Sequence, residues 1–242
     1  MTFAQTLLSQ YAGPRGIFAT RVASIYSGSG ASGFTPASLP NLAAWYRLGM
    51  GITVTGAGVS QWDDQSGNAR HLLQATDTNR PALQADSSIL FDGADNFLKT
   101  GAFTLTQPET VYLLAKQVSF TNPDHIFDGN TANSGTLFQN VASPNVGLFA
   151  GSVAATNSGW AIGVYVACAA VFNGASSLIQ IGSGTPTNGD PGAANMGGFT
   201  LGSSGSGAVE WANIQVKEVA VYSDAHDASQ RALVIAYLLS LP

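Results

Sequence analysis

Charge is what this sequence has least of. Only 10% of its 242 residues are Asp, Glu, Lys or Arg, against about a quarter in an average soluble domain. Nine lysines and arginines, no basic run and a net charge of −5 offer no cationic face to a phosphate backbone or an anionic bilayer. Nucleic acid and membrane are therefore excluded as partners. A single cysteine, Cys168, lies in the apolar run Ile162 to Phe172. It rules out a disulfide within the chain, suits a reducing cytosol, and reads as a small buried hydrophobe with no cation beside it. His71, His125 and His226 match no zinc spacing. The longest apolar stretch, Gly163 to Phe172, is too short for a membrane helix. Met1 to Gln10 lacks the cationic start and apolar core of a secretion signal.

What the chain has instead is 45% hydrophobic residues and 28 glycines, which argues against disorder and for one large all-β domain. Between Gly and Pro breaks, ten β-rich runs predict strands: Leu42–Arg47, Ile89–Phe91, Thr110–Ser119, His125–Asp128, Gly135–Gln139, Gly147–Ala150, Val164–Phe172, Ser176–Ile181, Phe199–Gly202 and Ile214–Tyr222. Short strands with no helix between them predict antiparallel pairing in two layers, with Asn173-Gly174 as a hairpin turn. Asp227 and Gln230 stand at the two positions of a capping box. The apolar spacing of Leu233, Val234, Tyr237, Leu238 and Leu241 predicts a closing helix on an edge or end of the sandwich. At the other end, Phe3, Leu7 and Tyr11 share one face of a predicted amphipathic helix, joined to the body by a Gly/Ser linker. Residues 1–38 thus read as an attachment arm and linker, and 39–242 as the domain.

Three segments resemble the concanavalin A-like (laminin-G-like) jelly-roll family, and within it the modules of tailed-phage virion proteins. They are Leu42-Ala43-Ala44-Trp45-Tyr46, Trp62-Asp63-Asp64-Gln65-Ser66-Gly67-Asn68 with Phe91-Asp92-Gly93, and Val216 to Ser223 before the helix. The resemblance implies a two-layer antiparallel sandwich with Trp62 in the core. It also implies Asp64 and Ser66 bonding backbone amides and Gly67 in a left-handed turn. Its functional implication is a non-catalytic surface protein of a phage or phage-like particle: a fibre, spike or capsid-decorating protein, on the virion surface, homotrimeric, held to capsid or tail proteins by its arm. The alternative is a module that binds a host-surface glycan for adhesion, with a polysaccharide hydrolase third.

Candidate sites follow from these readings. Hydrolases of this fold place paired carboxylates at near-alternate positions of one strand. Glu109, Glu210 and Glu218, the only glutamates, form no such set, and adjacent Asp63 and Asp64 face opposite sides of a strand. The Gly/Ser stretch around Ser204 and Ser206 is low complexity, not a nucleophile motif. No catalytic residue is therefore expected. Glycan or subunit contact is assigned to Trp160, as an exposed aromatic, with Asn157, Asn188 and Asp190. No metal is expected; a calcium ion, if any, would use Asp124 and Asp128, although Asp128-Gly129 and Asp92-Gly93 read as turns.

Overall fold

The computed structural model describes residues 33–242, so Phe3, Leu7 and Tyr11 lie outside the described residues. The compact body runs from Thr35 to Pro242. In chain order its strands are β1 (Leu42–Tyr46), β2 (Ile52–Thr55), β3 (Gly58–Trp62), β4 (Leu72–Leu73), β5 (Ala82–Leu83), β6 (Ile89–Asp92), β7 (Leu98–Lys99), β8 (Glu109–Gln117) and β9 (His125–Asp128). These are followed by β10 (Thr136–Gln139), β11 (Val146–Phe149), β12 (Val153–Asn157), β13 (Val166–Phe172), β14 (Leu178–Ile181), β15 (Thr187–Asn188), β16 (Thr200–Leu201) and β17 (Asn213–Tyr222). One sheet has the order β15-β14-β13-β8-β17-β6-β5, with β1 also on β17; the other has the order β12-β11-β10-β9-β16-β7-β4-β3-β2. Every pairing between these strands is antiparallel. The fold is the expected two-layer β-sandwich with one C-terminal helix.

The core lies between the layers. Phe91, Val111, Leu113, Phe172, Val219 and Val221 of the first sheet meet Trp62, Leu72, Phe127, Leu137, Phe199 and Leu201 of the second, all buried. Strand β17 keeps this alternation only because it carries a bulge. Its register against β8 shifts between Val216 and Glu218, so Ile214 and Val216 before it, and Val219 and Val221 after it, all point inward. The bulge also turns Glu218 to the outer face. There its carboxylate accepts from Trp45 Nε1 at 2.7 Å, Tyr237 OH at 2.8 Å and Leu48 N at 3.1 Å.

The closing helix α1 (Ala228–Leu239) begins with the expected capping box: the Asp227 carboxylate accepts from the amides of Ser229 and Gln230, and the Gln230 side chain accepts from Asp227 N. It packs on β13 and β8, which places it across the outer face of the first sheet and not on an edge. This is why those strands read as continuous apolar runs: both of their faces are covered. Ala167 and Ala169 stay small beneath it, and the Tyr112 hydroxyl meets His226 Nδ1 at 2.8 Å. Among the described residues no helix is long and apolar enough to cross a membrane.

Candidate functional site

The residues with the most unusual surroundings gather where β9 begins and the chain enters β17. Strand β9 is bulged against β10, its register shifting between Leu137 and Phe138. Bulges re-aim side chains, and here His125 is buried with Asp128 on one side and Glu210 on the other. His125 Nδ1 lies 3.4 Å from Asp128 Oδ2, short of a well-formed hydrogen bond, and Nε2 lies 3.2 Å from Glu210 Oε2. The backbone repeats the link: His125 N donates to the Glu210 carbonyl at 2.9 Å, and His125 bridges Trp211. Glu210 holds a φ of 60°, a left-handed conformation that a non-glycine residue adopts only under constraint. Beside it the Trp211 indole N–H is buried without a partner.

The three carboxyls differ in environment. Asp128 is fully buried yet accepts from Gly129 N, Asn133 N, Ser134 N, Thr136 Oγ1 and Gly205 N, at 2.8 to 3.1 Å. Burial pushes its pKa up, but His125 and these donors together outweigh that and hold it below the usual carboxylate value. Asp124, next to His125 in the chain, is pushed up to about 6, by burial first and also by the charge of Glu210, against relief from Thr121 and His125. The result is a half-buried carboxyl that keeps its proton up to about pH 6 under the influence of the Glu210 charge, next in sequence to an imidazole flanked by Glu210 and a buried, ionised Asp128. Such an arrangement can give and take protons at the sandwich rim.

Of the two residues named for a calcium ion, Asp128 already has its oxygens covered by five protein donors. Asp92 likewise serves its turn, accepting from Ala94 N at 2.9 Å.

The glycan-contact residues named from the sequence are partly brought together. Asn157 Nδ2 donates to Thr187 Oγ1 at 3.0 Å, and the Asp190 carbonyl accepts from Ser152 Oγ at 3.1 Å. Asn157, Asn188 and Asp190 thus lie along one edge, where β12 runs beside β15. The exposure expected of Trp160 is corrected. It is fully buried in the core cluster, because the turn at Asn157 and Gly159 folds its ring inward, and it offers no stacking platform. The Trp62 segment behaves as the resemblance implies. Asp64 accepts from Trp45 N, Ser66 N and Arg70 N; Ser66 Oγ accepts from Asn68 N; Gly67 has a φ of 89°; and Trp62 is buried.

No protein-family model and no curated protein matches the chain. Solved structures do. A mutant of Trypanosoma rangeli sialidase displaying trans-sialidase activity matches with a TM-score of 0.60 at 12% identity, over 90% of this chain and 35% of that one. Trypanosoma rangeli sialidase itself matches at 0.59 and 11%, over 84% and 34%. A GH54 α-L-arabinofuranosidase matches at 0.58 and 16%, over 76% of this chain and 51% of that one. The chain therefore spans about a third of the sialidases and about half of the arabinofuranosidase. At these identities the likeness establishes the fold.

Two expectations are corrected here: a non-catalytic surface protein of a phage-like particle, and the absence of enzymatic activity. The matched structures named above are glycan-acting enzymes, none a particle component. The physical reason for the error lies in the search for carboxylates on one strand. That search cannot find side chains that the fold brings together from separate segments, as it does His125 and Glu210.

Proposed function

We propose that this concanavalin A-like sandwich acts on glycans, with Asp124 and Glu210 as the acid–base pair of a glycosidic-bond hydrolysis. Asp124 gives its proton to the departing glycosidic oxygen as the bond to the anomeric carbon breaks. Glu210 takes a proton from the water that attacks that carbon. His125 is a positioning residue: its imidazole, braced by Asp128, fixes the side chain of Glu210. The observation that carries this reading is Glu210, held 3.2 Å from His125 on a left-handed backbone, with Asp124 next to His125 in the chain and pushed up to about 6 by burial and the Glu210 charge. The sialidase and the arabinofuranosidase that share the fold support it. The test is release of reducing ends from polysaccharides by the intact chain, compared with the Asp124→Asn and Glu210→Gln variants.

A further inference from the structure

A concavity elsewhere on the sandwich shares no residue with that cluster. A cavity of about 160 Å³ is lined by Arg70, His71, Leu73, Gly101, Ala102 and Phe103, with Ala69 at its margin. We propose that it is a subsite for a sugar residue bearing a carboxylate.

Arg70 is the reason. Its guanidinium sits 4.0 Å over the Phe103 ring, and Nη1 donates to the Ala43 carbonyl at 2.9 Å. No carboxylate among the described residues lies within ion-pair distance of it. By contrast, Arg80 is matched by Asp77. The nearby Asp64 carboxylate is occupied by the amides of Trp45, Ser66 and Arg70 and by Ser66 Oγ. An oriented guanidinium with unused N–H donors presents a planar fork, which a carboxylate fits with two parallel hydrogen bonds.

His71 supplies a further polar group. Its Nδ1 is engaged by the Asp64 amide at 3.2 Å and by Asp63 Oδ1 at 3.2 Å, which leaves Nε2 as the ring nitrogen open to a ligand. Asp63 stands on the Nδ1 side of the ring, where Gln61 Nε2 also donates to it at 2.6 Å. Leu73 and Phe103 give the apolar wall that the C–H face of a pyranose needs, and Gly101 with Ala102 leaves the space between them open. The sugar part of the inference rests on the glycan reading; the anion part rests on Arg70 alone.

The experiment is an amide NMR titration of the full chain with sodium D-glucuronate, with D-glucose and sodium acetate as controls. Glucuronate should shift residues 69–73 and 101–103 and bind about tenfold or more tighter than either control, the worth of one charge-assisted contact. Gly101→Leu adds a side chain whose Cβ meets nothing within 4 Å, so the fold is kept while the cavity fills; binding should vanish. Arg70→Gln should weaken binding about tenfold or more. The proposal is overturned if glucuronate binds no better than glucose, if acetate binds as well as glucuronate, or if Gly101→Leu leaves binding intact. Glu210→Gln should still bind glucuronate, so loss of the rim chemistry and failure of this site are told apart.

Discussion

His125 Nε2 lies 3.2 Å from Glu210 Oε2, although His125 begins a strand of one sheet and Glu210 leads into a strand of the other. The contact ties the two layers at the rim and sets a surface carboxylate over a buried imidazole. Asp128 stands on the other side of the same ring, so both imidazole nitrogens face a carboxylate.

Asp124 gives the account its pH dependence. With its carboxyl pushed up to about 6, the protonated acid is lost as pH rises through that value. Turnover measured against pH should fall above about pH 6. Asp124→Asn should remove that limb and lower kcat by about 10² to 10⁴.

Glu109 sets how the stability of the fold changes from mild acid to about pH 8. It is fully buried, neither oxygen has a well-formed hydrogen bond, and burial pushes it up to about 8, the nearby Met196 amide offsetting only part of that. Its folded pKa exceeds the unfolded one, so the folded state holds a proton that the unfolded chain has released. The stability is complete below the unfolded value, declines as pH rises toward about 8, and is level beyond. The decline should amount to about 3–5 kcal/mol. Thermal unfolding across this window should show it for the wild type and not for Glu109→Gln.

Asp128 behaves in the opposite sense. Its folded pKa is depressed, so its contribution is present above the unfolded value and is lost as pH falls through the folded one. Asp128→Asn replaces one oxygen by an amide NH₂ that faces two or three of the five donors and should cost about 3 kcal/mol or more at neutral pH. Urea unfolding at pH 7 and again near pH 3 should show the gap between variant and wild type narrowing in acid.

Glu218 joins β1, β17 and α1 through three hydrogen bonds. Glu218→Ala leaves the Trp45 indole and the Leu48 amide without an acceptor and should cost about 2–4 kcal/mol. For a domain of this size that lowers Tm by about 4–16 °C, measurable by calorimetry.

Much of the fold was legible because it rests on local signals. His125–Asp128 was bounded from sequence as it is in the structure, the Asp227 capping box formed as written, and Asn173-Gly174 turns β13 into β14. What escaped were pairs too short for alternation to register, such as Leu72–Leu73, Leu98–Lys99 and Thr187–Asn188, which exist only because longer neighbours hold them, together with the four- and five-residue strands Ile52–Thr55, Gly58–Trp62 and Val153–Asn157. The site was less legible. The proximity of His125 and Asp128 was visible as sequence neighbours, but Glu210 joins them through sheet topology, and no spacing rule encodes that. Trp160 misled because the polar residues before it suggested a surface loop, whereas Asn157 uses its side chain to accept from Gly159 N at 2.8 Å and close the turn, sending the ring inward.

The most direct measurement of the central claim is reducing-end release from a panel of neutral and acidic polysaccharides by the wild-type chain and by Glu210→Gln, with folding of both verified by circular dichroism. The account predicts release from at least one polysaccharide by the wild type and a loss of about 10²-fold or more in the folded variant. Release that is undiminished in Glu210→Gln, or no release by the wild type from any member of the panel, would contradict it.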